Sequence, residues 1–118
     1  MQVAFLLLLP VTASAGARSA FADGQAHWKR GNSFYKHGKL DRAVAEYQTA
    51  IRLNPNFADA HFNLATALDH RGQFDPAVSE YLEAIRLAPS NTLAHNNLGV
   101  IFYRRGQIDA AASVVSNK

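Results

Sequence analysis

The chain has 118 residues, 48% of them apolar, 18% charged and 10% aromatic, with seven Gly, four Pro and no Cys, a formal net charge of +3 and a pI near 9.5. This composition allows a small domain with an apolar interior and excludes a disordered tail, a collagen-like chain and a disulfide-stapled mini-protein. Without cysteine there is no thiolate metal site and no Cys nucleophile, and the 12 basic residues are interspersed with 9 acids rather than gathered into a nucleic-acid-binding stripe.

Residues 1–22 differ in composition from the rest. Val3 to Val11 form an apolar block around Leu6, Leu7, Leu8 and Leu9, followed by Pro10 and a stretch of small residues. Ala13-Ser14-Ala15 and Ala20-Phe21-Ala22 each fit the small-x-small cleavage pattern of a secretory signal peptide, although no Lys or Arg precedes the block. Residues 1–22 are therefore read as an export leader, with cleavage after Ala22 leaving Asp23 first and the mature chain working in the periplasm or outside the cell. A buried N-terminal helix or an uncleaved anchor is the competing reading. Spanning a bilayer takes about 20 apolar residues, and Pro10, Thr12 and Ser14 interrupt this run. The membrane is thus met only transiently, through the leader.

From Gly24 the sequence repeats itself with a period of about 34 residues, within the range that marks stacked-repeat architectures. Ala26, Ala60 and Ala94 fall in register, as do His27, His61 and His95; Gly38, Gly72 and Gly106; Asp41, Asp75 and Asp109; and Ala43, Ala77 and Ala111. Tyr47 meets Tyr81, Ala50 meets Ala84, Ile51-Arg52-Leu53 meets Ile85-Arg86-Leu87, and Pro55 meets Pro89. The repeats span residues 24–57, 58–91 and, incompletely, 92–118. Each reads as two helices, in the first copy from about Gln25 to His37 and from Asp41 to Leu53. Gly38 between them can take the left-handed conformation that ends a helix. Asp41, Asp75 and Asp109 are expected to be N-caps, with Pro76 at the first helical position, and Pro55 and Pro89 close the second helices. Small residues (Gly31, Ala65, Gly99, Ala43, Ala77) alternate with large ones (Leu64, Leu98, Phe34, Leu68, Phe102, Tyr47, Tyr81), which lets antiparallel helices interdigitate. One pair cannot bury its apolar face alone, but stacked pairs can.

This pattern resembles the tetratricopeptide repeat. The first copy carries His27, Arg30, Gly31, Phe34, Ala43, Tyr47, Ala50 and Pro55 at the family's marked positions, and the second carries His61, Leu64, Ala65, Leu68, Ala77, Tyr81, Ala84 and Pro89. The third has His95, Leu98, Gly99, Phe102 and Ala111, with Val115 in the aromatic slot. The resemblance runs from Gly24 through the third copy and implies an all-α, right-handed superhelical solenoid of antiparallel helix pairs with about two and two-thirds repeats.

It also implies that the first helices line a concave face that binds a protein segment. Carried over residue by residue, the groove positions include Trp28, Asn32, Tyr35 and Lys36 in the first copy, Phe62, Asn63 and His70 in the second, and Asn97, Tyr103 and Arg104 in the third. Aromatic platforms beside Lys36, His70 and Arg104 suit an extended peptide with an apolar side chain and an acidic group; the alternative is that Trp28 and Phe62 pack on neighbouring helices. The family's clamp for chaperone C-terminal carboxylates is incomplete, because Trp28, Leu93 and Asn97 stand where it has cations. Asn63 and Asn97 instead resemble the asparagine ladder of O-linked N-acetylglucosamine transferase, in which side-chain amides hold a peptide backbone; Lys29 interrupts it in the first copy.

No cofactor or metal is expected. His27, His61 and His95 recur at equivalent places, so stacking separates them by about 10 Å or more, whereas zinc holds its nitrogens at about 2.0–2.1 Å. Phosphate loops, nucleophile elbows and H-E-x-x-H helices are absent from the sequence. The chain thus reads as a non-catalytic adaptor, the alternative being the N-terminal part of a larger repeat-containing enzyme or a secretion or assembly factor. Because the third copy stops inside its second helix, expected from Asp109 to about Ser116, its exposed face is expected to favour self-association.

Overall fold

The computed structural model describes the backbone of residues 2–116 and the side chains of residues 16 and 18–109. It contains α1 (Gln2–Lys36), α2 (Leu40–Leu53), α3 (Ala58–His70), α4 (Phe74–Leu87) and α5 (Thr92–Ser116), with no strand among the described residues. Contacts divide the chain into two units, Met1–Phe57 and Ala58–Lys118.

In the first unit α1 and α2 form a helical hairpin. Gly38 ends α1 with φ of 75°, and its N–H donates to Tyr35 O at 3.0 Å while Lys39 N–H donates to Phe34 O at 2.9 Å. This pair of bonds satisfies the last carbonyls of the helix and needs a left-handed residue. Ala43, Val44, Tyr47 and Ala50 are the buried stripe of α2, spaced as one face of a helix demands. The helix stops at Leu53 because Asn54, preceding Pro55, is extended at φ −141° and ψ 89°.

The second unit repeats this construction with α3 and α4. Gly72 has φ of 79°, Gly72 N–H donates to Asp69 O and Gln73 N–H to Leu68 O, both at 2.9 Å, and Ala77, Tyr81 and Ala84 are buried along α4. Ala88 before Pro89 ends α4 in the same extended conformation. Asn91 then caps α5, its Oδ1 accepting from Ala94 N–H at 3.1 Å.

Three local expectations are corrected. Lys39 and Gln73, without side-chain cap bonds, precede α2 and α4; Asp41 and Asp75 are instead each the second helical residue, where a carboxylate faces the positive end of the helix dipole. Pro76 is the third residue of α4, still among the first four whose N–H lacks an intrahelical partner. In the third copy the hairpin is absent: α5 runs unbroken through Gly106 to Ser116, and the described positive-φ glycines are Gly38 and Gly72. Tyr47 and Tyr81 fasten the two closed hairpins, 1% and 0% exposed. Val115 in that slot supplies less area and no hydroxyl, so the helix-forming run Ala110-Ala111-Ala112 carries the helix on.

α1 likewise begins far before the expected Gln25, at Gln2. The apolar block Val3–Val11 lies outside the described side chains. Among those described, Gly24 is the first buried residue, whereas Phe21 is 53% exposed. Among the described residues no helix is long and apolar enough to cross a membrane.

Candidate functional site

Each closed hairpin is held by two cross-helix polar links that recur from the first repeat to the second. His27 Nδ1–H donates to Glu46 Oε2 at 2.6 Å, and His61 Nδ1–H donates to Glu80 Oε2 at 2.6 Å. The recurring histidines are thus spent within their own repeats. In the third copy Val114 occupies the glutamate position, and His95 Nε2–H turns to Pro89 O at 3.0 Å. Among the described residues no group of three or more His, Asp or Glu could hold a metal ion.

The second link sets the amides of the expected groove. Tyr47 Oη–H donates to Asn32 Oδ1 at 2.7 Å. In the second unit Asn97 Nδ2–H donates to Tyr81 Oη at 3.3 Å, and Thr66 Oγ1, the counterpart of Asn32, lies 3.1 Å from the same hydroxyl. Burial, with a smaller contribution from Tyr35, pushes the Tyr47 phenol up to about 12. Burial likewise raises Tyr81, against the lowering effect of its bonds to Thr66 and Asn97. Both hydroxyls therefore remain protonated at neutral pH. Asn32 and Asn97 are side chains on α1 and α5 whose orientation the buried tyrosines fix, as a pre-organised binding group requires.

The aromatic positions divide. Trp28 packs against Phe57 with ring centroids 5.3 Å apart, and Phe62 packs against Tyr81 at 5.9 Å. Trp28 and Phe62 are both half-buried, so each serves packing within its own unit. Tyr103 is the open platform at 68% exposure, its hydroxyl accepting from Gln107 Nε2 at 2.9 Å. Tyr35 and Asn63 are half-buried, whereas Lys36 and His70 are exposed. Arg104 is less available as a charge selector than the sequence implies, because its Nη1 lies 3.6 Å from Asp69 Oδ1. That oxygen is buried without a hydrogen bond. The missed features, the His–Glu and Tyr–Asn links, are visible as residue pairs 19 and 15 apart that recur in the second copy as His61 with Glu80 and Thr66 with Tyr81.

Two tyrosine-fastened helical hairpins with left-handed glycine turns define a helical-hairpin repeat protein. Residues 28–92 and 71–116 match the family model of the tetratricopeptide repeat, and the chain belongs to that family. It is 48% identical over 42 residues to the Hsp70-Hsp90 organising protein of Plasmodium falciparum (isolate 3D7), a match covering 36% of this chain and 7% of that protein. Among solved structures it is similar to MamA (26% identity, TM-score 0.70, 77% of this chain and 53% of that one). It is also similar to the second tetratricopeptide repeat domain of Spaghetti (RPAP3) bound to the HSP90 peptide SRMEEVD (25% identity, TM-score 0.73, 82% and 89%). The chain spans about half the length of MamA and a small part of the organising protein.

Proposed function

We propose that the chain is a non-catalytic protein-interaction module that binds an extended segment of another protein through half-buried and exposed side chains of its first helices. The observation that carries this reading is the pair of tyrosine-anchored amides, Asn32 on Tyr47 and Asn97 on Tyr81. An amide offers both donors and an acceptor, so it bonds main chain whatever the side-chain sequence. Asn63 extends this set in the second copy, Trp28, Tyr35, Phe62 and Tyr103 supply apolar contact, and Lys36 and His70 favour an acidic group, with Arg104 contributing less because it is shared with Asp69. The likeness to a domain bound to an HSP90 peptide supports a peptide ligand. Trp28, Leu93 and Asn97 in place of cations make recognition independent of a free C-terminal carboxylate.

The test is a random-heptapeptide display library selected on the wild-type chain. Selected peptides should bind with unchanged affinity when C-terminally amidated and at least tenfold more weakly to Asn63→Ala/Asn97→Ala. Equal binding to that variant refutes the amide reading.

We propose further that residues 1–22 are an export leader. Support comes from the composition of the segment, and among the described side chains the first buried residue is Gly24. N-terminal sequencing of the exported chain should read from Asp23; an intact Met1 in that fraction contradicts it.

A further inference from the structure

Asp69 is a carboxylate that the repeat itself does not require. It stands in register with Tyr35 and Tyr103, so the fold accepts a neutral side chain at this position. In the second copy the same position carries a charge whose side chain is only 9% exposed. Its Oδ1 is buried and accepts no hydrogen bond. The cation that faces it, Arg104 Nη1 on α5, lies 3.6 Å away, beyond the 2.7–3.2 Å of an N–H···O bond. Charge is thus balanced at Asp69 while its acceptor stays unsatisfied, and that costs more for a charged group than for a neutral one.

This orphan acceptor borders the groove amide of the second unit. Thr66, one helical turn before Asp69 on α3, lies 3.1 Å from the Tyr81 hydroxyl that also receives the Asn97 amide. Burial is the main cause of the raised Tyr81 phenol, but Asp69 adds to the rise and Arg104 opposes it, which puts both charges within electrostatic reach of that hydroxyl. Three residues of α-helix advance about 4.5 Å. The carboxylate therefore sits about one to two extended residues, at about 3.3 Å each, from main chain held by Asn97. Arg104 is the movable member of the pair, since its side chain is 53% exposed.

We propose that Asp69 is a specificity-determining residue that takes a basic side chain of the ligand, a role that rests on the reading that Asn97 holds ligand main chain. A lysine ammonium or arginine guanidinium displaces Arg104, which turns to water, and donates to Asp69. One cation replaces another, so the site stays neutral, and the 3.6 Å ion pair gives way to a charge-assisted hydrogen bond of about 2.7–2.9 Å. An acidic side chain at the same place would instead draw Arg104 off and leave a buried carboxylate unpaired, which is strongly destabilising. The acidic group favoured by Lys36 and His70 belongs to another part of the ligand.

Selection of heptapeptides on the wild-type chain reads this directly. Peptides that depend on the groove amides should be enriched in Lys or Arg at one position. Replacing that residue with glutamine should weaken binding about tenfold, and the binding that remains should still depend on Asn97. Asp69→Asn should bind the basic and glutamine peptides alike, whereas Arg104→Gln, its competing cation gone, should bind the basic peptide more tightly than the wild-type chain does. A residue that only docked α5 would change stability without moving the ratio of the two affinities. Helical circular dichroism confirms folding, and either variant alone decides the contact. Amide-dependent peptides with no basic position, an unchanged ratio in Asp69→Asn, or no gain in Arg104→Gln overturns this inference alone. Peptides that bind Asn63→Ala/Asn97→Ala unchanged overturn the groove reading and this inference with it.

Discussion

Gly31 and Gly99 stand at the same repeat position in opposite environments, so replacing each with alanine separates packing from helix propensity. A Cβ on Gly31 would lie 2.6, 2.7 and 3.1 Å from Cε1, Cδ1 and Cζ of Tyr47, against about 3.5–4.0 Å for favourable carbon contacts. The ring must retreat by about 1 Å to restore that spacing. It is 1% exposed and its hydroxyl is bonded to Asn32, so retreat disturbs the core and stretches that bond. Overpacking costs about 1–3 kcal/mol and a weakened hydrogen bond about 1 kcal/mol, offset by about 1 kcal/mol of helix propensity on replacing glycine. Gly31→Ala should therefore destabilise the chain by about 1–3 kcal/mol. Gly99→Ala, with nothing within 4 Å, should stabilise by up to about 1 kcal/mol. Urea and thermal unfolding followed by circular dichroism measure both. The second unit accommodates Ala65 at this position, fully buried. If α1 and α2 could adopt a spacing that admits alanine, Gly31→Ala would be neutral or stabilising, and that result refutes the reasoning.

Glu80→Ala removes the acceptor of the buried His61 Nδ1–H and should cost about 1–3 kcal/mol in urea unfolding, with Glu46→Ala costing less because His27 is 27% exposed against 8% for His61. Tyr81→Phe should loosen Asn97 and Thr66, weakening selected-peptide binding while costing about 1 kcal/mol of stability. At alkaline pH the unfolded chain ionises its tyrosines near 10.0 whereas folded Tyr47 holds its proton to about 12. The unfolded state then binds fewer protons, so this contribution is complete below pH 10 and is lost as pH rises toward 12, by about 3 kcal/mol for Tyr47 alone. Tyrosinate absorbance should show Tyr47 and Tyr81 ionising only as helicity is lost, and ionisation of all four tyrosines before unfolding would contradict it.

The all-helical fold, the turn glycines at 38 and 72 and the prolines that end α2 and α4 were legible because each is a local backbone requirement that a single residue type meets. The amphipathic spacing of Ala43, Tyr47 and Ala50 and of Ala77, Tyr81 and Ala84 specified the buried faces equally well. Caps were misplaced by two positions because an aspartate's charge stabilises the first helical turn as readily as its side chain caps it. The unbroken α5 was missed because glycine permits a turn without imposing one. What imposes it is the cross-helix fastening, and Val114 and Val115 stand where that fastening would be. Asn32 and Asn97 were expected at groove positions from the family resemblance alone, and their attachment to Tyr47 and Tyr81 depends on three-dimensional contact that a family position does not display. The pairing of Arg104 with Asp69 depends on it too, since these residues belong to different repeats and no short-range pattern joins them.

Recognition of main chain through oriented amides on the first helices is tested most directly by amide chemical-shift mapping of the isotope-labelled chain titrated with a display-selected peptide and with its alanine-scanned variants. Perturbation should concentrate at Asn32, Asn63, Asn97 and Tyr103 and persist when most peptide side chains are removed. Shifts confined to the exposed side of α4, around Glu83 and Arg86, or lost with any single peptide side chain, would contradict this mode of recognition.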